Sequence, residues 1–396
     1  MLLPLPYHQA TTRYCQQQQE VWRFFTNTIQ REEEIRAFKT DLLKNTYQFN
    51  RATESALYDK VAIAQQKLDL HLPVTLYQAQ HTEEINATIV YAGGEAHLVF
   101  SGKLIQLLTE EELLAVIGHE LSHILLYTQM NGDVEVADRI ITSIANHPSS
   151  SPAQYETARL FKLYTEIFCD RGAHLVTGNY QPIVSSLVKL ATGLATINAE
   201  SYVKQAAEIF SNAAGTITAG VSHPENFIRA RAIYLWQEQG AAADAVVQQM
   251  MEGSKGIDEL DLFHQQQLTG ITERLVQWIV QPAWMQTPLV MALARQYFSK
   301  LVLPATIEKE TLAPAIQQLH PSLRDFLSYL LYDFATADKT LEDLPLGYCF
   351  RLAIELRLTK HFTAVVKKER KLTDKQMDNL QKKTVAEYQK QGSLLV

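Results

Sequence analysis

Cysteine is scarce in this chain: Cys15, Cys169 and Cys349 are the whole complement in 396 residues. An odd, scattered trio does not build a disulfide framework, and it fits a reducing cytoplasm. Each thiol reads as a small packed side chain. Long apolar runs are missing too. No window approaches the roughly 18 continuous apolar residues of a membrane-spanning helix. Met1–Pro6 has neither a basic start nor a long apolar core, so it does not read as a secretory signal. Positive charge is also in deficit, with 36 Lys+Arg against 43 Asp+Glu and a formal net charge of −7. Non-specific nucleic-acid binding needs basic patches, so that class is disfavoured. What remains is a chain with 46% hydrophobic residues, long enough for two or three domains around real cores.

The hydrophobic pattern is mostly helical. Residues 11 to about 70 read as helix, with Gln and Glu faces between Val21, Trp22, Phe24, Phe25 and Ile35. Strands are expected at Leu72–Tyr77, Ala87–Tyr91 and His97–Ser101, with turn chemistry at Gly93-Gly94. Beyond Gly240 helical periodicity continues through 241–251, 259–280, 288–303, 310–320, 322–334, 346–357 and 373–391. The expected fold is α+β, mainly α. A small sheet precedes the helix over about 110–130, and an all-helical C-terminal region follows. The expected domains are a helical segment at 1–60, a catalytic domain at 61–240 and a helical domain at 241–396.

The chemistry concentrates in His119-Glu120-Leu121-Ser122-His123. A helix puts residues i and i+4 on one face, so both imidazoles can reach one ion. Glu120 stands beside them as the base for a water, the HExxH arrangement of zinc peptidases. The context is helical. Thr109 followed by Glu112 is a capping box, and three acids fill the first turn. Leu113, Val116, Ile117, Leu121 and Ile124 recur at helical spacing, and Asn131-Gly132 is the stop signal. Two histidines among so many apolar neighbours would be costly without a partner.

A catalytic zinc takes three protein ligands and leaves one position open. A second capped helix opens at Ser151-Pro152 and runs to about Thr177. It carries Glu166 and Asp170 one turn apart. Glu166 is flanked by Leu163, Ile167 and Phe168, and a buried carboxylate needs a cation, so Glu166 is the candidate third ligand. Asp170 is then the acceptor that orients a ligating histidine. His147, in a loop, and His174, one turn after Asp170, read as bystanders, and Arg171 as a structural brace.

With these residues in place, the chain resembles the gluzincin metallopeptidases, and within them the family of the CAAX prenyl proteases and HtpX-type heat-shock proteases. The resemblance rests on His97–Leu104, the acidic helix start, His119–His123, Glu166–Arg171 and His223-Pro224 with Arg229, over roughly residues 60 to 236. Cys169 stands where that family carries alanine. Many relatives are integral membrane proteins, whereas this chain lacks a spanning segment. The resemblance implies one zinc ion per chain on His119, His123 and Glu166, with Glu120 as general base. It implies His223 as a second donor to the developing oxyanion, and Arg229 as a group that binds substrate backbone or braces His223. It also implies that the last strand before the metal helix pairs with the substrate, here Gly94 to Val99, including His97.

The expected function is soluble zinc-dependent endopeptidase action on proteins or peptides. An alternative is a metal-containing scaffold that binds a protein partner through its helical C-terminal region. The intact Glu120 weighs against it, because a scaffold needs no base. A metal hydrolase acting on something other than peptides is a third reading.

Overall fold

The computed structural model describes residues 2–27, 32–213, 215–304 and 309–392, and residues 28–31 of the expected N-terminal helix lie outside them. The chain divides into two compact units, Met1–Gly253 and Ser254–Val396.

The first unit opens with helices α1 (Pro6–Gln17), α2 (Gln19–Thr26) and α3 (Glu32–Asn45). Strand β1 (Thr46–Gln48) and helix α4 (Ser55–Leu68) follow. The expected helix over 11–70 is therefore broken. One break is at Gln18, whose backbone is non-helical. Another is at Asn50, whose side chain accepts from Ala52 N at 2.8 Å in a local turn. Between them, Thr46 to Gln48 pairs antiparallel with the next strand. That short strand depends on a partner distant in sequence, which helical spacing cannot reveal.

The three expected strands form as β2 (Val74–Ala79), β3 (Asn86–Ala92) and β4 (Glu95–Ser101). The sheet is mixed, in the order β1-β2-β4-β3, with β2 and β4 parallel. A two-residue turn at Gly93-Gly94, both at positive φ, joins β3 to β4 and sets Ala92 opposite Glu95.

Helices then dominate: α5 (Leu104–Leu107), α6 (Glu110–Thr128), α7 (Asp133–Ala145), α8 (Pro152–Thr177), α9 (Tyr180–Thr192), α10 (Ala199–Asn212), α11 (Asn226–Gln239) and α12 (Asp244–Glu252). The capping boxes at Thr109 and Ser151 both form. Helices α6 and α8 pack on each other. Gly172 allows the close approach, since a Cβ there would lie 1.8 Å from the Ser122 hydroxyl. Glu112 in α6 is bound by Lys189 of α9 at 2.8 Å, both buried, which ties the start of α6 to its neighbour.

The second unit is all helical among the described residues: α13 (Leu262–Ile279), α14 (Pro288–Tyr297), α15 (Lys309–Gln318), α16 (Pro321–Thr336), α17 (Leu344–Glu355), α18 (Thr359–Glu369) and α19 (Asp374–Gly392). Proline in the first turn of α14, α16 and α17 sets their starts. Phe334, Phe350 and Phe362 anchor one apolar core. No helix among the described residues is long and apolar enough to cross a membrane.

Candidate metal centre

Helices α6 and α8 bring the sequence-predicted residues together. His119 Nε2 lies 3.4 Å from Glu166 Oε2, and His123 Nε2 lies 3.7 Å from Glu166 Oε1. Two ligands on a tetrahedral ion, with bonds of about 2.0–2.1 Å, sit roughly 3.4 Å apart. The spacing therefore suits a shared ion. Glu166 Oε2 is buried and accepts no hydrogen bond, although Arg229 Nη1 stands 3.2 Å away. An orphaned buried carboxylate oxygen beside two imidazoles is the environment a divalent cation would complete.

The Cys169 sulfur also lies within 4.8 Å of ligand atoms on both histidines. Two donors thus compete for the third position. Burial pushes the Cys169 thiol well above its ordinary range. Burial would raise Glu166 as well, but Arg229 and His119 outweigh it and hold the carboxyl well below the usual range.

Asp170 is buried and accepts from His119 Nδ1 at 3.0 Å. A carboxylate that can only accept fixes the proton on Nδ1, leaving Nε2 for the side that faces Glu166. Burial would lower the His119 imidazole, but the carboxylates of Asp170 and Glu166 prevail and raise it to about 10. Burial, opposed by Glu166 and aided by the nearby charges of His119, Arg229 and His223, lowers His123 to about 4. Glu120, also buried, is pushed up by burial to about 7.

Arg229 departs from its expected place. Its guanidinium is buried, with Nη2 and Nε donating to the two Asp170 oxygens at 2.6 and 2.9 Å. It borders the cleft, with Nε and Nη2 held by Asp170 and Nη1 3.2 Å from Glu166, so it braces the centre from behind. The ion pairs span 59 and 63 residues of sequence, a distance over which spacing carries no signal. His223 does reach the centre. Its exposed side chain sets Nε2 3.7 Å from Glu166 Oε1, while Nδ1 meets the Ser222 hydroxyl at 2.9 Å.

The edge strand is corrected as well. Strand β4 is bonded on both sides, by β2 and by β3, so Gly94 to Val99 offers no open edge. His97 is 1% exposed, with its Nδ1 on the Tyr77 hydroxyl at 3.1 Å. Position in the chain just before the metal helix does not set position in the sheet, because the hairpin folds β3 outside β4. Among the described residues, β3 has no strand on its outer side. Ala96 N donates to Pro73 O at 2.9 Å, toward β2. The opposing pair Ala96–Tyr91 thus exchanges no hydrogen bonds, and the alternation of antiparallel pairs turns the backbone groups of Tyr91, Ile89 and Ala87 outward. Asn86 Oδ1 occupies the Ala87 N–H at 2.9 Å.

A cleft of about 1370 Å³ joins these parts. His119, Glu120, His123 and His223 line it, with β3 along one wall. Ile183, Leu187 and Leu190 of α9 give it an apolar flank, and Glu135 and Asp138 of α7 a polar one. Of the remaining histidines named from sequence, His147 is exposed in its loop and His174 meets Gln237 at 3.3 Å. Arg171 braces structure by pairing with Asp244 at 2.6 Å and stacking over Trp236. Helix α9 and its Lys189 were missed, although Asn179 and Gly193 flank the helix with ordinary cap residues.

Residues 51–143, which include the HExxH helix, match the profile of Peptidase family M48. The chain is similar to the plastoglobule-localized metallopeptidase 48, chloroplastic, of Arabidopsis thaliana, with 28% identity over 200 residues. That similarity covers 46% of this chain and 57% of the relative. No solved structure matches the chain significantly.

Proposed function

We propose that this chain is a zinc-dependent endopeptidase of the CAAX prenyl protease and HtpX type. The observation that carries the reading is the buried Glu166 carboxylate, 3.4 and 3.7 Å from the two HExxH imidazoles. The M48 match and the relative's name as a metallopeptidase support peptide-bond hydrolysis. His119, His123 and Glu166 would hold one zinc ion per chain. Bound there, zinc would activate a water and polarise the scissile carbonyl.

The chain's own residues then divide the work. Asp170 and Arg229 hold His119 and Glu166 in place from behind. Glu120 takes a proton from the attacking water and returns it to the leaving amine. His223 Nε2 donates to the carbonyl oxygen as charge builds there. An extended substrate adds to the open edge of β3, bonding to the backbone of Ile89 and Tyr91, with affinity that tolerates many sequences. The apolar α9 flank takes a side chain. The second unit, 254–396, is a surface for a protein partner. Three unpaired cysteines suit a reducing compartment such as the cytoplasm.

Glu120→Gln tests the reading. It should keep zinc and lose peptide-library cleavage by roughly 100-fold or more, followed by mass spectrometry. Undiminished cleavage would remove Glu120 as the base. If no peptide is cut by zinc-loaded wild type and Glu120→Gln retains the cellular effect, the scaffold is the better account.

A further inference from the structure

His223 is the most exposed member of the centre and stands on a loop, yet it must meet a substrate oxygen within tenths of an ångström. We propose that residues 218–225 form a rigid holder for His223, with Gly220, Arg159 and Glu225 as positioning residues. This rests on the catalytic role given to His223 above.

The loop is bonded to itself and to α8. Glu225 gathers its base: one carboxylate oxygen accepts from Thr218 Oγ1 at 2.8 Å and the other from Ala219 N at 2.9 Å. Thr218 Oγ1 in turn accepts from Gly220 N at 3.1 Å, and Thr218 N donates to Met250 O at 3.0 Å. The chain then doubles back on itself. A Cβ on Gly220 would lie 1.9 Å from the His223 carbonyl oxygen, so any other residue there moves the backbone of His223 directly.

Arg159 fixes the loop to the metal-bearing helix. Its Nη1 donates to Gly220 O at 2.6 Å. Its Nε and Nη2 are held by the two Glu156 oxygens at 2.6 and 2.8 Å, a bidentate fork that leaves the guanidinium little freedom. Arg159 and Glu166 share α8, seven residues or about 10 Å apart along its axis. One helix therefore sets both the third ligand and the anchor of the loop. That gives a physical reason why an exposed histidine stays 3.7 Å from Glu166.

The test uses the full chain with Gly220→Ala, Arg159→Met, Arg159→Lys and Glu225→Gln. Metal content should match wild type. Turnover should fall roughly 10- to 100-fold with little change in KM, because transition-state contact is lost and ground-state binding is kept. Arg159→Lys should recover part of the loss. Combining each variant with His223→Ala should add almost nothing, since both remove one interaction. A second readout needs no turnover. In cobalt-loaded protein, the paramagnetic shift of the His223 ring protons falls steeply with distance, and it should collapse in Gly220→Ala and Arg159→Met. Unchanged shifts and turnover, or losses that add fully to that of His223→Ala, would overturn the holder. A wild type that binds cobalt but cuts no peptide would sink the peptidase reading, while the ring shifts would still decide the holder. If Gly220→Ala does not fold, the Arg159 and Glu225 variants decide.

Discussion

The two units bury different interiors. The first encloses Glu112, Glu120, Glu166, Asp170, Lys189 and Arg229. The second packs Ile271, Leu331, Phe350, Phe362 and their neighbours into a core without charge, and its buried charged side chains among the described residues, Lys255, Asp261 and Asp338, lie outside that core. Buried charge is costly unless each group has a partner. The first unit meets that cost by making its charges interdependent: Arg229 serves Asp170 and Glu166, and Asp170 serves His119. The difference separates an interior arranged for chemistry from one arranged for packing.

Arg229→Met should break the comparison hardest. It strands two buried carboxylates, at about 3–5 kcal/mol to the first unit. Hydrogen exchange read peptide by peptide should show loss of protection in 1–253 and none in 254–396. Zinc should restore part of it, since a cation would serve Glu166 in place of the lost guanidinium. Equal loss in both units would refute the division.

Phe350→Ala is the converse. Phe350 is fully buried and stacks edge-on against Phe362. Its truncation should cost the second unit about 3–4 kcal/mol through lost burial and a residual cavity. The same exchange experiment should leave zinc affinity and the first unit unmoved.

Acid should sharpen the contrast more gently. Burial holds the His8 imidazole down at about 3, against a weaker pull from the Phe161 backbone. A depressed group contributes stability that is whole above its ordinary value of 6.5 and is lost as pH falls toward about 3. Between pH 6.5 and about 5 the first unit should lose about 2 kcal/mol through this group. Urea midpoints followed by exchange in 1–253 should show it, and His8→Asn should flatten the slope whatever it does to absolute stability.

Legibility followed the range of the interactions. The helices around Thr109 and Ser151 were readable because caps and helical spacing are local. Glu166 and Asp170 were readable because a carboxylate among apolar neighbours signals a partner. The exchange of β4 for β3 at the open edge was not, because strand order depends on a fold-level crossing. Arg229 reads as a group that binds substrate or braces His223 because its place after His223-Pro224 is visible in sequence, while its pairing with Asp170, 59 residues earlier, is not. Lys189 on an otherwise uncharged helix was the sign of Glu112, 77 residues before it.

The central claim is that Glu166 completes a three-ligand zinc site with His119 and His123. Zinc content after exhaustive dialysis tests it most directly, measured by atomic emission on wild type, Glu120→Gln and Glu166→Ala. The account predicts one zinc per chain in the first two and nearly none in Glu166→Ala. Full zinc retention by a folded Glu166→Ala would contradict it and would turn attention to Cys169 as the third donor.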